Sequence, residues 1–215
     1  MKHVLRRTLL AVALLATTAT AARAQLYNGG LPNHQNGNEM SGWIQADDFS
    51  LSGAATVSDI RFWTIGFRGR AGWTGSVWWA IFADNGGTPG ATLFSGTQAG
   101  TRVATGFLVG SVIPEYQHDL AVSIALAPGT YWLGLHNGPL SHTSDDSYYW
   151  ETTNLNGTNA GREDNAPFDG VWVNNTFDHA FQLYGNAAVV PEPMTLSLVA
   201  TGLIGVAVFR RRQRR

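Results

Sequence analysis

An uncharged stretch near the end of this 215-residue chain limits its fold more than any other feature. Pro191, Glu192 and Pro193 precede sixteen residues without charge, 194–209, and five arginines stand within 210–215. The prolines stop a preceding helix from continuing into that stretch, because proline lacks a backbone donor and restricts the residue before it. As a helix, 194–209 spans about 24 Å against a hydrocarbon core of roughly 30 Å, and flanking arginines can snorkel. The sequence predicts a transmembrane helix here, with the arginines on the cytoplasmic side.

This order of motif, apolar helix and basic end resembles the PEP-CTERM sorting signal of Gram-negative bacteria, which an exosortase recognises. The resemblance covers 190–215, and Met194 departs from it where a small residue is more usual. It implies that Pro191, Glu192 and Pro193 form the sorting and processing motif, that an exosortase is a partner, and that the helix holds the chain in the inner membrane before processing. A plain membrane anchor and a buried C-terminal helix are the alternatives.

The N-terminus has the composition of a secretory signal peptide. Lys2, Arg6 and Arg7 are basic, 8–18 is mostly apolar, and Ala22 and Ala24 form an A-x-A site for signal peptidase. Paired arginines also suggest a twin-arginine signal, but its usual companion residues are missing. We therefore predict a signal peptide at 1–24, a β-sandwich ectodomain at 25–186 and a sorting region at 187–215, the last comprising a linker with the Pro-Glu-Pro motif, a transmembrane helix at 194–209 and an arginine-rich tail at 210–215.

The exported part is acidic and has no cysteine. Between residues 25 and 189 there are five arginines and no lysine against fourteen carboxylates, a formal charge of −9. Nucleic acids and anionic lipids need basic surfaces, so neither is expected as a partner of this part of the chain. Without cysteine there is neither a disulfide nor a thiolate nucleophile, and stability must come from packing.

Short runs of aromatic and β-branched residues, separated by clusters of Gly, Asn, Asp and Pro, predict an all-β domain. From Tyr116 onward, core and solvent-facing residues alternate strictly. The runs at 84–90 and 128–129 predict tight hairpin turns. Strand spacing favours a two-sheet β-sandwich of jelly-roll type. The predicted strands are 60–67, 76–83, 101–109, 116–125, 130–136, 148–152, 171–174 and 180–184.

Catalytic and metal motifs are missing from the sequence. No metal-binding histidine spacing and no serine nucleophile motif occur, so we predict no catalytic, cofactor or metal residues, with Ca²⁺ as the one ion kept as a hypothesis. That hypothesis places Ca²⁺ at Asp145 with Asp146, or at Glu163, Asp164 and Asn165, in loops. His136 and His142, near Asp145 and Asp146, could also converge in a loop. Glycosidase carboxylates depend on the fold rather than on spacing; the candidates are Asp145, Asp146, Glu151, Glu163, Asp164 and Asp169.

Eight tryptophans, all between residues 43 and 172, are the compositional feature with the clearest bearing on function. Most should fill the core, since each buries 150–250 Å². The pleat of a strand sends Trp78 and Trp79 to opposite faces, so one can meet solvent. Exposed aromatic rings on a β-sandwich can stack on sugars. Trp78, Trp79 and Trp172 are therefore predicted glycan contacts.

Three classes of function follow from these features. The first is an exported, exosortase-processed protein of the cell surface or extracellular matrix, non-catalytic, with a structural or binding role; the PEP-CTERM resemblance implies association with exopolysaccharide. The second is a dedicated carbohydrate-binding module, which needs an exposed aromatic platform. The third is a secreted glycoside hydrolase, which needs two facing carboxylates in a cleft.

Overall fold

A computed structural model describes residues 23–66, 72–145, 147–154 and 160–187, together with 210 and 213. This part of the chain is all-β and forms two antiparallel sheets, which confirms the all-β prediction and is consistent with a β-sandwich. Within these residues, no helix has the length and apolar character needed to cross a membrane. The predicted helix at 194–209 and the first 22 residues of the predicted signal peptide lie outside the described residues.

The first sheet has seven strands and is built around β4. One edge of β4 pairs with β8, and its other edge pairs first with β13 and then with β10. β1 extends the sheet beyond β13, β2 beyond β10, and β7 beyond β8. The strands are β1 (Ala24–Asn28), β2 (Gly37–Glu39), β4 (Ala55–Gly66), β7 (Thr101–Val109), β8 (Ile113–Leu126), β10 (Tyr148–Glu151) and β13 (Phe181–Ala187).

The second sheet has six strands in the order β12-β11-β3-β9-β5-β6. Three pairs of chain neighbours among the described strands are antiparallel partners: β5 with β6, β7 with β8 in the first sheet, and β11 with β12. Elsewhere the chain tends to pass from one sheet to the other. The strands are β3 (Trp43–Leu51), β5 (Val77–Asp84), β6 (Pro89–Gln98), β9 (Gly129–Asn137), β11 (Arg162–Asn165) and β12 (Val173–Asn174).

The main core lies between the two sheets. Alternate residues of each strand point into it, as the predicted pattern of β8 requires: His118, Leu120 and Ile124 are buried, while Ala121 and Ser123 are exposed. Large side chains from both sheets complete this core. They include Phe49, Phe62, Trp79, Ile81, Leu133, Trp150 and Phe181.

Several predicted strand assignments need correction. β1, β2, β3, β6 and β11 were not predicted, and 171–174 contributes only the two residues of β12. The turn at 84–90 does connect the hairpin of β5 and β6. The turn at 128–129 does not form a hairpin, because β8 and β9 belong to different sheets.

Candidate functional site

The outer face of the six-stranded sheet carries a second, smaller apolar cluster. Its buried members are Ala46, Ala80, Phe82 and Trp132, and the partly buried Trp78 and Trp172 pack against them. This cluster exists because β5 is apolar on both faces, with Trp79 and Ile81 pointing into the main core.

Small residues make room for the rings of this outer cluster. A Cβ atom on Gly134 of β9 would meet Cε2 of Phe82 at 2.6 Å, so the ring of Phe82 lies directly over the backbone of β9. The strand register places Gly134 between Ala46 and Ala80, two side chains that are also short. The short residues Ala46, Gly134 and Ala80 therefore leave the space that the neighbouring aromatic ring of Phe82 occupies.

A hollow of about 270 Å³ opens beside the aromatic rings of this cluster. Trp78 and Phe82 come from β5, and the segment between β11 and β12 folds over the sheet to bring Phe168 and Trp172. The side of the hollow is completed by β6 and the stretch after β9. The lining residues are Ile44, Trp78, Phe82, Gly90, Thr92, Leu140, Asp164, Phe168, Asp169, Gly170 and Trp172.

The aromatic rings of the hollow support one another. Phe82 meets Trp172 edge-on, with centroids 5.3 Å apart and planes at 75°. Trp78 lies 6.4 Å from Phe82 at 50°. Such tilted arrangements are favourable for aromatic quadrupoles and fix the orientation of each ring. Both tryptophans remain partly exposed and so present indole surface to solvent.

Two carboxylates give this aromatic hollow its polar groups. Asp164 is only 2% exposed; its Oδ2 accepts a hydrogen bond from the Gly170 N–H at 3.0 Å, and its Oδ1 has no partner among the described residues. Asp169 accepts from the Val171 N–H at 3.2 Å. Burial raises the pKa of Asp164, the Gly170 N–H opposes this rise, and the charge of Asp169 adds to it. The hollow thus offers hydrogen-bond acceptors beside indole rings.

The structure brings together two of the three predicted glycan contacts. Trp78 and Trp172 line the same hollow although 94 residues separate them in the chain. Trp79 does not join them: it lies on the opposite face, 9% exposed, in the main core. The prediction for Trp79 is therefore corrected, because a ring packed between the sheets cannot stack on a sugar outside them.

The carboxylates that were predicted as catalytic or calcium-binding residues lie at several separate positions in the structure. Asp164 and Asp169 share the hollow. Glu163 lies beside Asp164 in β11 and so points to the other face, where its Oε2 accepts from Gln45. The calcium hypothesis at 163–165 is wrong in its geometry, because these residues form a strand and not a loop. Asp145 accepts from the Ser147 N–H, and Asp146 lies outside the described residues.

Two of the predicted histidines do come together, because the charge of His142 helps to lower the pKa of His136. His136 is buried in β9, where it faces Trp78 in the register and meets Phe168 edge-on at 5.2 Å. Burial is the main cause that lowers the pKa of His136. It thus packs against a residue that lines the hollow. His118 and His179 are fully buried elsewhere.

One other group of titratable side chains was missed from the sequence. His34, Glu115 and Glu151 are far apart in the sequence. Each of them offers one atom that could bind a metal ion, and these three atoms lie within 4.8 Å of one another. Glu151 was predicted only as a catalytic carboxylate, and no spacing pattern marked His34 or Glu115. The strand pairing that joins them could not be read from local sequence.

A second hollow, of about 360 Å³, lies on the seven-stranded sheet and is lined by charged groups. Arg61 donates to Asp119 at 2.6 Å, and Arg23 lies 3.6 Å from Asp59. Arg23 belongs to the predicted signal peptide, so cleavage after Ala24 would remove its charge from this hollow. We therefore assign the hollow no binding role.

Comparison with known proteins identifies one segment. Fold and hollow together define an all-β protein with two antiparallel sheets and an aromatic, acidic surface site. The sequence model of the PEP-CTERM protein-sorting motif matches residues 189–213, so the chain carries a PEP-CTERM sorting motif, as predicted. That motif implies exosortase-dependent sorting to the cell surface. Among curated proteins no significant match was found.

The motif residues themselves are known from sequence alone. Pro191, Glu192, Pro193 and Ala22 lie outside the described residues, and Ala24 begins β1. Among the described residues, the last strand along the chain is β13, which ends at Ala187, two residues before the matched motif. All the described strands therefore precede the sorting motif.

Proposed function

We propose that the protein is a non-catalytic, polysaccharide-binding component of the cell surface or extracellular matrix, and that the Trp78–Trp172 hollow is its binding site. In this proposal the sorting motif directs the protein to the cell surface, and the β-sandwich carries the surface that binds polysaccharide. We further propose a signal peptide at 1–24, a transmembrane helix at 194–209 during transit through the inner membrane, and a jelly-roll arrangement of the sandwich, which the repeated passage of the chain between sheets supports.

The observation that carries this proposal is the unpaired Oδ1 of Asp164 in a hollow with two tryptophans. A buried acceptor without a partner is costly unless a ligand supplies a donor. Sugar hydroxyls are donors, and the C–H faces of a pyranose ring pack on indole. A ligand with both features satisfies the carboxylate and covers the exposed rings. An acidic ectodomain without lysine also favours a neutral or cation-bridged glycan over an anionic polymer.

The test is binding of residues 25–187 to insoluble polysaccharides and to the producing strain's own matrix. We expect retention of the wild type and a loss of about tenfold in affinity for Trp172→Ala or Trp78→Ala, which corresponds to about 1.4 kcal/mol. Phe94→Ala is the matched control: Phe94 is also exposed, but it pairs with Ile81 and so faces away from the hollow. Multivalent display on a surface should strengthen weak single-site binding.

Absence of binding to every polysaccharide would reduce the protein to a structural surface component. The hydrolase alternative has a specific observation in its favour, because Asp164 and Asp169 share one hollow and burial raises the pKa of Asp164. It predicts release of soluble sugar that disappears in Asp164→Asn or Asp169→Asn. Such turnover would overturn the non-catalytic assignment, whereas binding without turnover supports it.

A further inference from the structure

A cluster of acidic groups and one imidazole lies on the outer face of the seven-stranded sheet, on the opposite side of the molecule's core from the hollow. Glu115 of β8 and Tyr149 of β10 both pair with Ile65 of β4. Glu151 stands two residues after Tyr149, so Glu115 and Glu151 point to the same face. Both carboxylates are covered, with exposures of 4% and 0%.

His34 closes this cluster from the loop before β2. Its Nδ1 lies 2.8 Å from Oε2 of Glu115 and 3.4 Å from Oε1 of Glu151. The imidazole stacks on Phe107 of β7 at 3.8 Å. The loop is tied to the end of β10 by backbone hydrogen bonds from Asn33 to Thr152 and from Thr152 to Asn36. These contacts hold the His34 imidazole beside the two carboxylates.

The buried carboxylates lack the partners that their charges require. Both oxygens of Glu151 and Oε2 of Glu115 have no hydrogen-bond donor among the described residues apart from the neighbouring His34. Two ionised carboxylates repel each other and neither can donate, so without a cation one of them holds a proton and donates it to the other. Burial first, then the charge of Glu115, raises the pKa of Glu151 well above its ordinary value. A bound cation would neutralise both groups at once.

We propose that His34, Glu115 and Glu151 form a binding site for one divalent transition-metal ion, with Zn²⁺ as the best match. Zn²⁺ takes imidazole nitrogen at 2.0–2.1 Å and carboxylate oxygen at 2.0–2.2 Å. Around a tetrahedral ion such donors lie about 3.4 Å apart, close to the observed 2.8 and 3.4 Å. Ca²⁺ needs six to eight oxygen ligands and Mg²⁺ keeps several waters, so an imidazole with two carboxylates suits neither.

Such an ion would join three separate elements of the seven-stranded sheet. It would connect the loop before β2 with β8 and β10, in a chain that has no cysteine for disulfides. An ion that binds the folded state and not the unfolded chain raises the free energy of unfolding with the logarithm of its concentration over Kd. The site is therefore structural in its effect and independent of the glycan hollow.

The experiment uses the full chain in detergent, stripped with EDTA and without an affinity tag. Titration calorimetry and thermal unfolding with ZnCl₂ should show one ion per chain and a higher Tm, and Co²⁺ should give the visible absorption of a low-coordinate site. His34→Ala and Glu151→Gln should each weaken binding by about 100-fold or more, since loss of an outer-shell partner alone costs 10–100-fold. His142→Ala is the control and should bind as the wild type does.

His34 lies in a surface loop, so His34→Ala keeps the test informative if the buried Glu151→Gln fails to fold. Zn²⁺ binding that is lost in His34→Ala and kept in His142→Ala supports the site. Absence of heat and of a Tm shift for folded wild type in Zn²⁺ would overturn it. Equal affinity in the wild type and in His34→Ala, or tighter binding of Ca²⁺ or Mg²⁺ than of Zn²⁺, would also contradict it.

Discussion

Two buried histidines show how single residues make this fold sensitive to acid. His118 stacks on Phe62 at 4.7 Å, and its Nε2 shares hydrogen bonds with the Thr64 and Tyr148 hydroxyls. Burial, and then the charge of Arg102, lowers the pKa of His118 to about 3. Burial also lowers the pKa of His179 to about 3, against the opposing charges of Asp178 and Glu163. Both imidazoles should be neutral in the folded protein.

The sign of the pH effect follows from proton linkage. In the unfolded chain these histidines take up protons near pH 6.5, whereas in the folded protein they do so only near pH 3. Each therefore lowers stability by up to about 1.4 kcal/mol per pH unit as pH falls below 6.5 toward 3. The raised carboxyl pKa values of Asp47 and Glu151 act in the opposite direction, because the folded state then holds the extra proton.

Because the histidines and the carboxyl groups change stability in opposite directions with pH, the protonation state of the two imidazoles should be observed directly. We expect ¹⁵N NMR of the folded protein at pH 5 to show neutral rings for His118 and His179. In 6 M urea the histidine resonances should instead titrate near pH 6.5. Protonated rings for these two histidines in the folded protein at pH 5 would contradict the burial that the fold assigns to them.

At the scale of elements, an irregularity in β4 decides how the seven-stranded sheet is assembled. Ser58 is skipped in the pairing with both neighbours: β8 pairs with Val57 and Asp59, and so does β13. Gly185 of β13 lies opposite Val57 at this point. A Cβ atom there would collide with the carbonyl oxygen of Thr56. The bulge therefore needs glycine at 185 because the backbones approach too closely for a side chain.

Gly185→Ala should destabilise the fold by about 2 kcal/mol, the usual cost of forcing extra volume into a packed region. Gly53→Ala is the matched control, because a Cβ at that position meets nothing within 4 Å. Urea unfolding of both variants measures the difference in the free energy of unfolding. If Gly185→Ala unfolded at the same urea concentration as Gly53→Ala, the proposed close approach would be wrong.

The strands that were not predicted from the sequence were missed for three different physical reasons. β3 contains Asp47 and Asp48, residue types that are depleted in strands, and both are buried by contacts formed only in the folded state. β6 begins with Pro89 and Gly90, which normally mark turns. β1, β2 and β11 have three to five residues and no apolar alternation. The long alternating β8, by contrast, was predicted because one face is core and the other is wet.

At the scale of the whole molecule, we expect the two ends and the sandwich to be separable. The proposed cleavage after Ala24 would leave Gln25 in β1, where it pairs with Tyr184. The last strand of the described residues ends at Ala187, before the sorting motif at 189–213. Removal of both terminal segments should therefore leave the two sheets intact.

Mass spectrometry of the protein from its native host should show Gln25 or a neighbour as the first residue and no residues 210–215. Pro191→Ala with Pro193→Ala should impair sorting while thermal unfolding of the sandwich stays unchanged. A mature protein that retains the arginine-rich tail would refute processing and leave a plain membrane anchor. Loss of the fold in the proline variant would show that the sandwich and the motif are not separable.

Only part of the candidate site could be predicted from the sequence. The period of a strand was enough to put Trp78 and Trp79 on opposite faces, but not to say which face was the core. Trp172 joins Trp78 through a segment with little regular structure, and Asp164 acquires its unpaired oxygen only from tertiary packing. Glu115 and Glu151 come close together only because of the register in which β8 and β10 pair with β4. Local sequence fixes periodicity, whereas register and sheet order depend on the whole chain.

The central claim is that glycan binds at the Trp78–Trp172 hollow, and the indole N–H resonances of the eight tryptophans test it most directly. Titration of the folded protein with soluble fragments of the producing strain's own polysaccharide should shift the indole signals of Trp78 and Trp172. The signals of Trp79 and Trp150 in the main core should stay in place. Indole signals that all remain unchanged at saturating polysaccharide, or shifts confined to tryptophans outside the hollow, would contradict the account.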